Sequence, residues 1–229
     1  MSKAKIFLVE DHPITRQGLA QLIESQADMT VCGWAEDTVE AIGGIEKTGP
    51  DLVIADLTLK GTDGLELLKQ LRPKHPHLHV LIVSMHDEFL YAQRALLAGA
   101  HGYVMKAEAP EKLLLAVRRV LEGEIYLSEK ESARALMRLA RGSSPVTKSP
   151  LEQLSDRELE VFRWIGRGCS LQEIAARLQI SVKTVETHCT HIKSKLDIGN
   201  SRELNRQAFL WFGQMEGRHG AERGTSGDS

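Results

Sequence analysis

Between residues 5 and 122 the chain alternates short apolar runs with longer segments of helical period. The runs predict strands near 5–9, 29–34, 51–55, 79–83 and 102–105, and the segments between them predict helices near 13–25, 38–47, 64–72, 87–98 and 110–122. Leu52-Val53-Ile54-Ala55 and Val80–Val83 are apolar without alternation, as strands covered on both faces must be. Five successive strand–helix repeats predict a five-stranded parallel sheet with helices on both faces, an α/β fold. Gly61, Asp63 and Gly64 punctuate the turn after the third strand, and Gly99 and Gly102 bracket the entry to the fifth.

Past residue 122 the strand pattern stops. Ser128-Glu-Lys-Glu131 reads as a capping box opening a helix to about Arg141, and residues 142–150 have linker composition. From 151 to 212 the period is helical throughout. Ser155-x-x-Glu158 and Ser170-x-x-Glu173 each predict a capped helix, Ser181 the start of a third running to about Leu196, and 201–212 a fourth carrying Leu204, Phe209, Leu210 and Trp211. The expected organisation is an α/β domain over 1–122, a linker over 123–150 with a helix at about 128–141, an all-α four-helix domain over 151–212, and a Gly-rich polar tail over 213–229 that is disordered.

Composition changes this picture little. A chain of 229 residues with net charge −2 and 42% hydrophobic residues is a soluble two-domain protein without strong overall attraction to nucleic acid or membrane. The charge is uneven: Lys and Arg against Asp and Glu number 13 against 17 in residues 1–122 and 9 against 8 in 151–212. The acidity in front suits a cation site. Cys32, Cys169 and Cys189 are odd in number and widely spaced, which fits a reducing cytoplasm and no disulfide framework. Signal-peptide and membrane-span patterns are absent, so a cytoplasmic location without membrane association is expected.

The candidate chemistry lies where the apolar runs end. Glu10-Asp11 follows the first strand, Asp56 the third, Ser84 the fourth and Lys106 the fifth. In an open parallel sheet these ends share one edge, where sites form. Three carboxylates there would repel one another without a cation, and hard oxygen ligands suit Mg²⁺. An aspartate can accept a phosphoryl group as an acyl phosphate, with Lys106 and the Ser84 hydroxyl meeting its oxygens.

Glu10-Asp11, Asp56 followed by Asp63-Gly64, Ser84, and Gly102-Tyr-Val-Met-Lys106 resemble a bacterial response-regulator receiver domain over about residues 4–122. The resemblance implies a flavodoxin-like sheet of order 2-1-3-4-5 and phosphorylation of Asp56 by a sensor histidine kinase. Mg²⁺ is then held by Glu10, Asp11, Asp56 and the backbone carbonyl of Thr58, and Tyr103 is an aromatic switch coupled to Ser84. Thr58 and His86 stand where the family tunes phosphoryl lifetime, and Lys60 replaces a frequent loop proline.

In the helical part, Val182, Val185, Cys189, Ile192 and Leu196 fall on one face of a helix, with Lys183, Thr187, Thr190 and Ser194 opposite and His191 beside them. Small donors and a lysine facing outward suit a DNA major groove. Leu154-Ser-x-Arg-Glu-x-Glu-Val161, Glu173-Ile-Ala and Ile180-Ser-Val-Lys-Thr-Val-Glu-Thr-His188 resemble the LuxR-type helix-turn-helix, and the two halves together resemble NarL/FixJ-type response regulators. That resemblance implies Lys183, Thr184, Thr187, Thr190, Lys193 and Lys195 as contacts to double-stranded promoter DNA, with Lys193 and Lys195 meeting phosphates. It also implies a homodimer when phosphorylated, with the helix after 200 as a dimer surface, and RNA polymerase as a further candidate partner. The expected function is a phosphorylation-controlled transcriptional regulator. The chain is not expected to be a turnover enzyme: Asp56 lies on the third strand and is followed by Leu57-Thr58, unlike the first-strand DxDxT of aspartyl phosphatases. A small-molecule sensor and a vestigial pocket are the other readings, and the complete set Glu10, Asp11, Asp56, Ser84 and Lys106 counts against both. His75, His77 and His79 read as a solvated loop and Cys189 as a small core residue.

Overall fold

The computed structural model describes residues 3–59, 62–85, 88–140 and 150–221, in two compact units, Met1–Gly142 and Ser143–Ser229. In the first unit, β1 (Ala4–Val9), β2 (Met29–Ala35), β3 (Leu52–Ala55), β6 (His79–Ser84) and β7 (Gly102–Met105) form a parallel sheet of order β2-β1-β3-β6-β7. That is the expected order 2-1-3-4-5, with two short strands intervening in the count. These are β4 (Thr58–Leu59) and β5 (Thr62–Asp63), an antiparallel ribbon after β3. Two residues per strand are too few for an alternation to show in sequence.

Helices α1 (Pro13–Glu24), α2 (Thr38–Thr48), α3 (Gly64–Lys74), α4 (Glu88–Ala98) and α5 (Pro110–Leu121) connect the strands. Asp37 caps α2 by accepting from the Val39 and Glu40 amides, while prolines open α1 and α5 at positions whose missing N–H costs nothing. Ile6, Leu8, Leu52, Ile54, Leu81 and Val83 are buried with Ile23 of α1 and Leu113, Val117 and Val120 of α5. Burial on this scale holds the strand ends in fixed register. Because β1 lies between β2 and β3, the chain leaves it in opposite directions, and a crevice opens at the carboxyl ends of β1 and β3.

After α5 the chain is stitched to β7: the Tyr103 amide donates to the Tyr126 carbonyl at 3.0 Å, and the Tyr126 amide to His101 at 2.9 Å. A helix α6 (Glu129–Ala140) follows. Its expected capping box is only half made. Ser128 Oγ accepts from the Glu131 amide at 3.3 Å, but the Glu131 carboxylate pairs with Arg134. The Ser128 amide donates instead to Glu88 Oε1 of α4 at 2.8 Å, a tertiary partner that local spacing could not announce.

The second unit opens with a 3₁₀ turn (Pro150–Gln153), then α7 (Asp156–Gly166), α8 (Leu171–Leu178), α9 (Val182–Lys195) and α10 (Ser201–Ala221). Ser155/Glu158 and Ser170/Glu173 are complete capping boxes, and Ser181 caps α9 through the Thr184 amide. Leu159, Phe162, Ile174, Val185, Ile192, Leu204 and Ala208 form the core, with Phe162 and Phe212 edge to face at 5.8 Å. At Gly166 any side chain would strike the Ala208 carbonyl, so this glycine sets how closely α7 meets α10. The last helix, expected to stop near 212, runs on to Ala221. Its three glycines each cost about 1 kcal/mol, but good helix formers such as Gln, Met, Glu and Arg separate them, and an established helix propagates cheaply. Lys60, Gly61, His86, most of the 142–150 linker and residues 222–229 lie outside the described residues. Among those described, no helix is long and apolar enough to cross a membrane.

Candidate functional site

The β1–β3 register pairs Val9 with Ala55, so Glu10 and Asp56 leave the sheet side by side; the Asp56 amide donates to the Val9 carbonyl at 2.9 Å. Both carboxylates are buried, at 1% and 5% exposure. Lys106, immediately after β7, brings Nζ to 2.5 Å from Glu10 Oε2 and 2.7 Å from Asp56 Oδ2. Burial alone would depress the Lys106 ammonium, but the Asp56 charge and the bonds to Asp56 and Glu10 outweigh it and raise its pKa. One cation therefore covers one oxygen of each of two buried carboxylates.

The other oxygens are differently placed. Asp56 Oδ1 and Asp11 Oδ1 are buried without a hydrogen-bond partner, a rare condition for a native polar atom. Glu10, Asp11, His12 and Asp56 each offer a ligand atom within 4.8 Å of the others. A ligand set made mainly of carboxylate oxygens, two of them buried without a hydrogen bond, fits a hard divalent cation such as Mg²⁺.

Around this centre, Ser84 is fully buried at the end of β6, and its carbonyl accepts from the Lys106 amide at 2.8 Å. Tyr103, on β7, is wholly buried, deeper than a half-buried strand aromatic. Thr58 lies in the ribbon just beyond Asp56. Gly64 closes that ribbon: its amide donates to the Leu57 carbonyl, and a Cβ there would collide with the Asp56 carbonyl oxygen. The strand ends thus bring Glu10, Asp11, Asp56, Ser84 and Lys106 to one edge.

Three residues at this edge escaped sequence reasoning. Arg16 of α1 donates from Nη1 to the Glu10 carbonyl at 2.8 Å, pairs with Glu36 at 3.2 Å and stacks on Trp34 at 4.1 Å, pinning the backbone at Glu10. His12 turns its ring toward Glu10 and Asp11. Glu88 ties α4 to the start of α6, and burial raises its carboxyl pKa against the lowering effect of the Ser128 bond. A charged residue on a sheet-facing helix turn was the available signal for Arg16; nothing local marked Glu88.

On α9, Val185 and Ile192 are buried, while Lys183, Thr184, Thr187, Thr190, His191 and Ser194 are exposed. The Thr187 and Thr190 hydroxyls donate to the Lys183 and Glu186 carbonyls at 3.0 Å, leaving their oxygens facing outward as acceptors. Thr184 is drawn into the cap, its hydroxyl 2.8 Å from Ser181 Oγ. Lys193 is half-buried. Lys195 places Nζ 2.7 Å from Glu158 Oε2, so its charge tethers α9 to α7. Glu158 is 4% exposed; burial would raise its pKa, but Lys195 and the Ser155 amide hold it below the usual carboxylate range. Cys189 is half-buried and burial raises its thiol pKa, as a packing residue's would be. Among the described residues His75, His77 and His79 form no metal-ligand group; His79 packs edge-on against His101 at 5.0 Å.

Comparison with known proteins gives the same two parts. Residues 6–118 match the model of the response regulator receiver domain and residues 152–208 that of bacterial regulatory proteins of the luxR family. The oxygen regulatory protein NreC of Staphylococcus aureus is 36% identical over 209 residues, covering 90% of this chain and 96% of that protein. RcsB of Salmonella enterica serovar Typhimurium, solved on the rprA promoter with the phosphomimetic BeF₃⁻, is 25% identical with a TM-score of 0.58, covering 90% of this chain and 98% of that one. A LuxR-family two-component response regulator from Aurantimonas sp. SI85-9A1 is 37% identical with a TM-score of 0.57, covering 60% of this chain and 99% of that one. With the acidic pocket at the sheet edge and the capped helix-turn-helix later in the sequence, the chain belongs to the two-component response regulators that join a receiver domain to a LuxR-type DNA-binding domain.

Proposed function

We propose that the protein acts in the cytoplasm, that Asp56 accepts a phosphoryl group from a sensor histidine kinase, and that the modified receiver then drives homodimerisation and binding of promoter DNA by α9. The observation that carries this reading is the asymmetry of the Asp56 carboxylate. Oδ2 is held by Lys106, while Oδ1 is buried without a hydrogen-bond partner in a residue that lies in one ligand group with Glu10 and Asp11. One oxygen of the Asp56 carboxylate is the nucleophile: it forms the P–O bond as the donor's P–N bond breaks and the imidazole departs.

Glu10, Asp11, Asp56 and the Thr58 carbonyl would hold Mg²⁺, which when bound offsets charge on the phosphoryl oxygens. Lys106 is already within reach and keeps its charge at neutral pH. The Ser84 hydroxyl, on the strand end next to Lys106, meets a phosphoryl oxygen only once one is present, and that conditional bond is the switch. Tyr103, packed in the core of the same strand pair, follows the Ser84 movement. A near-complete switch, from about 1:99 to 99:1, needs roughly 5.5 kcal/mol of differential stabilisation. Charge-assisted bonds from Lys106 and Ser84 to a dianion are of the kind that supplies it.

The route outward runs through main-chain amides and one carboxylate. Tyr126 is bonded to the β7 edge and Ser128 to Glu88 of α4, so displacement of β7 or α4 is carried into α6. Residues 1–122 then act as the receiver, 123–150 as the transmitting segment and 151–212 as the DNA-binding domain. Lys183, Thr187 and Thr190 read the groove, Lys193 meets phosphate, Thr184 holds the helix start, and Lys195 shares its charge between phosphate and Glu158. RNA polymerase is the further partner of the DNA-bound form. RcsB supports the DNA and dimer parts of this reading, being solved on promoter DNA and as two dimers on two DNAs. The chain turns over no substrate beyond release of its own phosphoryl group.

The test is light scattering or sedimentation with and without beryllofluoride and Mg²⁺, on wild type and Asp56→Asn. A mass increase confined to wild type is expected. Failure of beryllofluoride to bind wild type would overturn the reading.

A further inference from the structure

We infer that His12 is a nitrogen ligand of the cation in the acidic pocket, so that the site takes a borderline divalent metal such as Mn²⁺ more readily, relative to Mg²⁺, than carboxylates alone would. The inference rests on the cation-pocket reading above and adds to it a ligand and a metal class.

Local structure makes His12 conspicuous. It occupies the N-cap of α1, where Ser, Thr, Asp or Asn normally accepts from the first helical amides, yet its side chain makes no capping bond. The ring is instead folded back over the end of β1. Nδ1 lies 2.7 Å from Asp11 Oδ1 and 3.2 Å from Glu10 Oε1. Neighbouring ligands in an octahedral shell with bonds of 2.0–2.1 Å stand about 3 Å apart, and this is that spacing. Of the two approaches only that to Glu10 Oε1 has hydrogen-bond geometry; Asp11 Oδ1 is buried with no aligned donor.

The division of the carboxylate oxygens points the same way. Lys106 takes Glu10 Oε2 and Asp56 Oδ2. That leaves Asp11 Oδ1 and Asp56 Oδ1 without a hydrogen-bond partner, the latter on a side chain only 5% exposed, and Glu10 Oε1, which accepts from the His12 amide at 3.1 Å and has room for a second contact. The lysine and the histidine therefore serve opposite sides of one acidic cluster. Imidazole nitrogen is a good ligand for Mn²⁺, Co²⁺, Ni²⁺ and Zn²⁺ and a poor one for Mg²⁺, which prefers oxygen and retains water. The His12 side chain is 68% exposed, so the ring can swing onto the metal or leave the shell all-oxygen.

Tag-free full-length protein loaded with Mn²⁺ and measured by pulsed EPR gives a direct reading. Wild type should show ¹⁴N coupling to the metal that is absent from His12→Ala, and calorimetry should show Mn²⁺ affinity falling about tenfold, about 1.4 kcal/mol, with little change for Mg²⁺. His12→Asn, which restores a good N-cap and keeps an oxygen donor, guards against a folding defect: it should bind Mg²⁺ as wild type does and lack the coupling. Mn²⁺ bound without ¹⁴N coupling, at an unchanged Mn²⁺ to Mg²⁺ ratio in His12→Ala, overturns the role of His12 and leaves the cation pocket standing. If neither metal binds wild type, the pocket reading fails and takes the inference with it.

Discussion

In the receiver the charged groups are inside, and on α9 they are outside. Glu10 and Asp56 are buried and Lys106 half-buried; they follow three different strands, and the last two are separated by 50 residues. Lys183, Thr187 and Thr190 are exposed and sit on one helix. A buried charge cluster is expensive, so each member depends on the others and on the sheet that aligns them. An exposed face depends only on the helix beneath it, and its members act nearly independently. The first arrangement can be switched by a single added charge; the second can be tuned residue by residue for a DNA sequence.

The sharpest way to break that contrast is Lys106→Met. Without metal, two buried carboxylates lose their shared counter-charge, and the receiver should lose about 3 kcal/mol. Mg²⁺ should restore part of it. Urea melts with chelator and with Mg²⁺ check this, and an equal loss in both conditions would mean that no cation enters the pocket. Next in size is Lys195→Met, which leaves the buried Glu158 without its cation and should cost the second unit about 1–2 kcal/mol. An unchanged melting temperature would make Lys195 a surface contact like the others.

Lys183→Ala is the matching substitution on the outer face. It should leave melting unchanged, weaken DNA binding by about 1 kcal/mol and lower the salt slope by about one, read from binding at several salt concentrations. The smallest effect is expected at the opposite edge of the sheet. Burial, with His79 and Arg72 adding to it, lowers the pKa of His101 from 6.5 to about 4, and its Nδ1 accepts from the Val80 amide at 3.1 Å. The unfolded chain takes up that proton first, so the stabilisation is complete above pH 6.5 and is lost as pH falls toward about 4. Since the ring is partly solvated, the loss should be of the order of 1 kcal/mol. Denaturation at neutral pH and at about pH 5 should show it, and His101→Gln should flatten the difference.

The same contrast explains what was legible in the sequence. Strand and helix order could be read because Leu52–Ala55 and Val80–Val83 are uninterrupted, and the capped helices because Ser155, Ser170 and Ser181 mark their starts. The pocket was legible because strand ends in a parallel sheet share an edge. What failed to show was tertiary pairing. The Ser128 amide finds Glu88 rather than the Glu131 carboxylate, Lys195 pairs with Glu158, and Arg16 reaches the Glu10 carbonyl. None of these partners lies at a local spacing. The β4–β5 ribbon was too short to carry a period, and α10 outran its expected end because propagation tolerates spaced glycines.

The central claim is that Asp56 is the phosphoryl acceptor. Incubation with phosphoramidate and Mg²⁺, followed by borohydride trapping and peptide mass spectrometry, tests it most directly. The account expects a single Mg²⁺-dependent acyl phosphate, trapped at Asp56 and absent from Asp56→Asn. Trapping at Asp11 or Glu10, or equal modification of Asp56→Asn, would contradict it.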